Sequence, residues 1–227
     1  MSDLVSDFRI RPYAPADRAR VRHICFVTGY IGHPVEWQWR DAESFANIFT
    51  GYYTDAEPQS ALVAEVDGEV RGYLLGCVDS SRAWNPGTVV GRQITRRGII
   101  FRPGTAGFAW RSLGDVVVDA VHKRLPPAPF SDPRWPAHLH IDLLRDARGR
   151  GVGAALMRRW LDGLREAGVA GCHLETVAEN TGAVAFFESM GFEKRRPPIP
   201  APGLRSPQGD RHHVQLMVRS LQVGSGG

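Results

Sequence analysis

Apolar and polar positions along the chain fall into two periods, and the switches between them mark the elements. Phe8-Arg-Ile-Arg-Pro-Tyr13 alternates with a period of two and predicts a short strand, after which Pro15-Ala-Asp17 opens a helix running to about Gly29. Tyr30 to Glu36 reads as a turn-rich loop and Trp37 to about Tyr53 as a second helix. Ser60–Val66 and Glu69–Val78 are strand patterns joined by Asp67-Gly68, a strong hairpin signal. Residues 80–112 show no period and contain Gly, Pro and Arg. Leu113 to Arg124 predicts a helix and Pro126 to Pro136 an extended connector, so that 80–135 reads as an irregular insertion.

The pattern sharpens from Ala137. His138-Leu-His-Ile-Asp-Leu-Leu144 predicts a strand and Gly149-Arg-Gly-Val-Gly153 a glycine turn. Val152, Leu156, Trp160 and Leu164 form the apolar face of a helix that Gly168 ends. Gly171–Val177 is the next strand, and Asn180-Thr181 starts a helix that Gly191-Phe192 closes. Two last strands, around Phe192–Arg196 and Val214–Leu221, flank a Pro-rich loop from Pro197 to Gly209. Hairpin strands, then β-α-β-α, then a closing hairpin predict a mixed sheet with helices on both faces, in a single domain over residues 1–227.

Composition narrows the class. In 227 residues, 43% apolar and 23% charged, no apolar run reaches the ~18 residues of a membrane span, and acids sit in the first seven positions where a secretory signal carries Lys or Arg. Cys25, Cys77 and Cys172 lie far apart, which disfavours a disulfide framework or a zinc ribbon. A cytoplasmic, reduced protein is expected. The net charge of +4 is uneven: residues 81–124 hold eight Lys/Arg against two acids, and residues 145–165 six Arg against two. Such patches suit an anionic cofactor, nucleic acid or an acidic partner, or form a solvated face.

The second patch surrounds Arg148-Gly-Arg-Gly151-Val-Gly153, between a strand and a helix. Glycines permit close backbone approach, and the unpaired N–H groups of a helix start favour an anionic oxygen, so the turn fits a pyrophosphate; it also fits a turn that only eases packing. Gly149-x-Gly151-x-x-Ala154, with Glu175 on the next strand, also matches a dinucleotide fingerprint, but Arg145–Arg148 separate strand from glycine and little parallel structure follows. No Gly-x-Ser-x-Gly elbow or Gly-Lys-Ser/Thr phosphate loop is present, which removes the obvious hydrolases and nucleotidases.

Arg148, Gly151 and Gly153 match the pattern Arg/Gln-x-x-Gly-x-Gly, followed by Asn180-x-x-Ala183 and Gly191-Phe192. In this order the segments resemble the GCN5-related N-acetyltransferase (GNAT) superfamily, specifically over residues 137–192. His138–Leu144 and Ile10-Arg-Pro-Tyr13 look most like the acetyltransferase-like group associated with O-GlcNAcases. The resemblance implies an α/β (α+β) fold with a mixed, mostly antiparallel sheet, and acetyl-CoA as acyl donor. It further implies that Arg148, Gly149, Arg150, Gly151, Val152, Gly153 and Ala154 grip the pyrophosphate. The pantetheine arm would lie along the strand ending at Leu143 and Leu144, where neighbouring strands splay, with Asn180 and Phe187 on its far side. Two departures stand out: the common Pro three residues before the turn's Arg is Arg145, and the common Tyr acid four residues before Gly191 is Phe187. A phenyl ring cannot return a proton to a thiolate, so another group or water does so, or the protein binds acyl-CoA without turnover.

Removing a proton from an acceptor amine calls for a base. His138, His140 and Asp142 alternate on one strand and share a face, which makes His140 and Asp142 the candidate catalytic pair. Hydrogen-bonded structural groups fit the same pattern, and no metal is expected because one strand spaces the three too widely around a single ion. His212-His213, Tyr30, Trp37 and Trp39 are candidates for the acceptor side or for packing. The expected activity is acetyl transfer to an amine, on a small molecule or a protein, by direct attack, with an N–H near Leu143 holding the oxyanion. The alternative is a non-catalytic acyl-CoA binder, or an interaction module using residues 81–124. Nucleic acid and membrane are not expected partners; a homodimer is compatible.

Overall fold

Alternation along the strands resolves into two cores on opposite faces of one sheet. The computed structural model describes residues 8–84, 86–123 and 128–221, the side chains of 86 and 87 excepted. The N-terminal acids, Arg124 and the start of the expected 126–136 connector lie outside them. Among the described residues eight strands, β1 Phe8–Pro12, β2 Ala61–Val66, β3 Glu69–Cys77, β4 Ala137–Leu143, β5 Gly171–Val177, β6 Glu193–Lys194, β7 Ile199–Arg205 and β8 Arg211–Ser220, pair in the order β1-β2-β3-β4-β5-β8-β6, with β7 also on β8. Every pairing is antiparallel except β4 with β5. This is the mixed, mostly antiparallel α/β sheet that the sequence implied, and it removes the dinucleotide alternative, which needs a run of parallel strands.

Among the described residues six helices cover it: α1 Arg18–Thr28, α2 Ala42–Asp55, α3 Pro86–Arg97, α4 Ala106–Val121, α5 Val152–Glu166 and α6 Thr181–Ser189. On one face α5 buries Leu156, Met157, Trp160, Leu161 and Leu164 against Leu62, Ala64, Leu74, Ala137 and Leu139. Each such side chain contributes about 1.5–3 kcal/mol of burial, which makes α5 a rigid base for the glycine turn at its head. On the other face α1 and α2 bury Val21, Ile24, Cys25 and Phe45 against Val63, Tyr73 and Leu75. Along β4, therefore, Ala137, Leu139, Ile141 and Leu143 face α5, while His138, His140 and Asp142 face α1 and α2.

Three expectations are corrected. The second helix begins at Ala42, not Trp37, because the Asp41 carboxylate accepts the Ser44 N–H at 2.9 Å as its N-cap. Residues 80–112 are not irregular: they hold α3 and the first half of α4, where Gly91 and Gly107 interrupt the apolar period, and the helix expected from Leu113 continues α4 to Val121. The Pro-rich 197–209 loop contains β7, an edge strand where Pro200 and Pro202 forgo ladder bonds and the register with β8 shifts.

Candidate active site

Parallel pairing of β4 with β5 lasts for two positions, Ala137 with Cys172 and His138 with His173. Beyond them β4 stays on β3 as far as Leu143, and β5 stays on β8 as far as Val177. The two central strands thus diverge into a wedge, and their inner edges have no ladder partner among the described residues. The Leu144 N–H donates to Arg71 O at 2.8 Å, so strand alternation turns the N–H and C=O of Ile141 and Leu143 toward the wedge. The structure therefore contains the splay that the resemblance implied.

After β4, a single 3-10 turn at Arg145–Ala147 leads to Arg148 and the head of α5. Gly149 and Gly151 have φ of +71° and +81°, a left-handed conformation that costs other residues about 1–2 kcal/mol, and a Cβ on either would meet open space. Gly151 is the N-cap and offers no capping side chain, which leaves the N–H groups of Val152, Gly153 and Ala154 without partners within the helix. A Cβ on Gly153 would come within 3.4 Å of both Leu143 and Phe186. Glycine there joins the turn to the end of β4 and to α6.

The other residues singled out in the sequence take distinct places. Arg148 donates from Nη2 to Leu143 O at 2.7 Å and to Gly32 O at 2.9 Å, and from Nε to Leu143 O at 3.0 Å. It ties the end of β4 to the turn after α1. Arg150 pairs loosely with Asp67, at 3.8 Å. The Asn180 Oδ1 caps α6 by accepting the Ala183 N–H at 3.2 Å. Leu143 and Leu144 are half-buried, on opposite faces of the sheet. Phe187 is only 6% exposed and packs among Phe186 and Phe192, while its half-buried neighbour Phe186 is the ring beside Gly153.

On the α1 side the three polar residues of β4 divide. His138 is enclosed, with Nδ1 2.7 Å from Ser80 Oγ, and burial pushes its pKa down to about 4, which keeps it neutral. His140 and Asp142 lie together, Nε2 to Oδ2 at 3.4 Å. Tyr73 donates its O–H to the same carboxylate at 2.7 Å. Burial raises the Asp142 pKa against the pull of His140 and the hydrogen bonds from Tyr73 and Thr28. The Cys25 Sγ, whose pKa burial pushes up, lies within 4.8 Å of ligand-type atoms of both residues, a neighbour the sequence gave no reason to expect. The Phe49 and Tyr73 rings flank the His140 imidazole, with centroids 6.0 and 5.6 Å away.

A second polar chain crosses from one lip of the wedge to the other. Tyr30, two residues beyond α1, places its phenol 2.9 Å from His212 Nε2 on β8, and His212 Nδ1 lies 3.3 Å from Glu179, just after β5. Glu179 also receives the His213 N–H at 3.1 Å, and its other oxygen lies 2.8 Å from His213 Nδ1. Although burial opposes it, these bonds hold the Glu179 carboxyl below its usual range. Burial, and then the Glu179 charge, raise the Tyr30 pKa. The Trp37 ring stands edge-on to Tyr30 at 5.2 Å and is 43% exposed. A separation of 182 residues between Tyr30 and His212 hides this chain from sequence reasoning. By contrast the basic 81–124 segment is partly neutralised: Arg97 and Arg102 both pair with Asp41.

Residues 113–192 match the acetyltransferase (GNAT) family model. Among solved structures, SsHAT is similar at 29% identity over 95% of this chain and 99% of that one, with a TM-score of 0.63. Two others share the fold. One is yncA from Salmonella typhimurium, a proposed acetyltransferase solved with its cofactor acetyl-CoA (16% identity, 96% of each chain, TM-score 0.56). The other is the ribosomal-protein-S18-alanine N-acetyltransferase from Escherichia coli (15% identity, 97% and 98%, TM-score 0.53).

Proposed function

We propose that the chain, which matches the acetyltransferase (GNAT) family model over residues 113–192 and resembles SsHAT in fold, transfers the acetyl group of acetyl-CoA to an amine. The observation that carries this is the wedge between β4 and β5 together with the uncapped glycine turn at its end. The turn's N–H groups and the helix dipole suit the diphosphate, and the inward-turned N–H and C=O of Ile141 and the N–H of Leu143 suit the amides of a pantetheine arm, while Arg148 holds the Leu143 carbonyl. Phe186 and the Asn180 amide border that arm; Phe187 supports them from the core.

The amine attacks the thioester carbonyl directly: a C–N bond forms, the C–S bond breaks, and an N–H near Leu143 stabilises the oxyanion. Asp142, beside His140, takes the proton from the amine; its raised pKa brings it nearer the working pH of a base. Tyr30 takes the place of the acid missing at Phe187. Its O–H goes to the departing thiolate, and solvent returns a proton to the phenolate by way of His212, which Glu179 orients. Trp37 and Phe49, both exposed and beside these groups, border the acceptor.

Thiol release from acetyl-CoA across a panel of primary amines tests the reading. Acceptor-dependent release supports it. Tight acetyl-CoA binding with no release for any amine favours the second reading, a non-catalytic acyl-CoA binder, for which Phe187 in the core is the supporting observation. Among the described residues no helix is long and apolar enough to cross a membrane.

A further inference from the structure

Helix α4 is inside out. Its acids point at the protein: Asp115 pairs with Arg205 at 2.5 Å and accepts the Gly203 N–H at 2.7 Å, and Asp119 pairs with Arg211 at 2.6 Å. Phe108 and Ser112 lie on that same side, against the buried aromatic cluster and β7. The opposite side carries Trp110, Leu113, Val117 and Val121, spaced three, four and four residues apart and exposed by 56, 52, 54 and 75%. At 3.6 residues per turn these form one straight stripe, and Gly114, beside its midpoint, has open space where a Cβ would stand. With Val118 at its edge, 54% exposed, the stripe presents on the order of 500 Å² of apolar side chain, as much as the largest patch a typical monomer leaves to water.

We propose that this stripe is the contact between two copies of the chain, with α4 packed on α4 about a two-fold axis that passes between Leu113 and Gly114. Such an axis sets Trp110 against Val117 of the second copy, Leu113 against Gly114, and Ala106 against Val121. Every large side chain then meets a smaller one, and helix axes 8–10 Å apart are within reach. No charge lies on the line from Trp110 to Val121, and the exposed Arg111 borders it only at the Val118 edge, so the centres of two like faces meet without repulsion, as an isologous contact requires. The area matches too: burying the stripe on both copies removes about 1,000 Å², the lower bound for a specific interface. A membrane surface fits less well. A helix lying on lipid carries several Lys and Arg along its polar face, whereas α4 offers Arg111 alone and its acids are already paired with arginines.

The test is the solution mass of the full chain by multi-angle light scattering across a dilution series, alone and with vesicles of phosphatidylserine and phosphatidylcholine. Wild type is expected at twice 25.1 kDa, and the doubly substituted Leu113→Glu, Val117→Glu protein at 25.1 kDa with an unchanged circular dichroism spectrum and melting temperature. A wild type of single mass at every concentration overturns the proposal, whether or not it floats with vesicles; flotation would reassign the stripe to lipid. A substituted protein that stays at double mass overturns it as well. If the double substitution disturbs folding, Gly114→Cys decides. Diamide must oxidise two such thiols into a disulfide joining two chains, since the native Cys25, Cys77 and Cys172 are all buried, and a purely single-chain band overturns the contact.

Discussion

Asp142→Asn separates catalysis from structure at the proposed base. The amide keeps an oxygen for the Tyr73 O–H, which now lies 2.7 Å from the carboxylate, and it keeps the side chain's volume, but it cannot take a proton. General-base removal is worth about 10²–10⁴ in rate, so kcat should fall by that factor, about 2.7–5.4 kcal/mol of transition-state stabilisation. Stability should move the other way. Burial raises the Asp142 pKa, so the folded protein holds that proton more tightly than the unfolded chain does. The resulting stabilisation is fully present below the unfolded pKa and lost as pH rises through the folded one. Asparagine never ionises, and the variant should therefore gain in melting temperature relative to wild type as pH increases. The assays are steady-state thiol release and thermal unfolding, each across a pH series, with acetyl-CoA affinity as control. In wild type kcat/KM should climb as pH rises through the Asp142 pKa, and this limb should vanish in the variant. Activity retained within a few-fold, or activity and stability lost together, would refute the role.

Tyr30→Phe should lower kcat ten- to a hundred-fold with acetyl-CoA affinity unchanged, read by steady-state kinetics beside calorimetry; a change in affinity alone would contradict the proton-return role. Gly151→Ala forces a Cβ into a backbone at φ +81°, which costs about 1–2 kcal/mol and lowers the melting temperature by roughly 2–8 °C, and it should weaken acetyl-CoA binding as well. Phe187→Tyr, which introduces the phenol common in the family the chain resembles, should not raise activity; its hydroxyl is driven into a site 6% exposed and costs about 1–3 kcal/mol, read by denaturant unfolding. His138 is neutral when folded, with a pKa near 4 against 6.5 when unfolded, so stability should decline as pH falls through that window, by up to about 3 kcal/mol. His138→Gln should flatten this acid limb in a pH series of melting curves.

The parts of the fold legible in the sequence are those where a local rule and tertiary packing agree. Asp67-Gly68 specifies a hairpin by its turn, and Val152, Leu156, Trp160 and Leu164 are all buried where their period placed them. Helix α4 was legible from Leu113 onward, whereas its first half, Ala106–Ser112, escaped because Gly107 and the outward-facing Trp110 break the pattern of an apolar inner face. Strand β7 escaped because Pro-rich edge strands and loops share a composition. At the site, the glycine turn and the His140–Asp142 pair are contiguous in sequence and could be named from it. The Tyr30–His212–Glu179 chain could not, since three distant segments meet only when the α1–α2 turn settles on the end of β4 through Arg148. Phe187 was named from its motif position, which gave no sign that it packs against Phe186 and Phe192 in the core.

Isothermal titration of the protein with acetyl-CoA, repeated with its dephosphorylated fragment pantetheine, measures most directly whether the wedge and glycine turn hold the donor. The account predicts saturable one-to-one binding of acetyl-CoA, at least ten-fold weaker in Gly151→Asp, and far weaker binding of pantetheine, which lacks the diphosphate. Absence of acetyl-CoA binding by correctly folded wild type, or equal affinity for pantetheine, would contradict it.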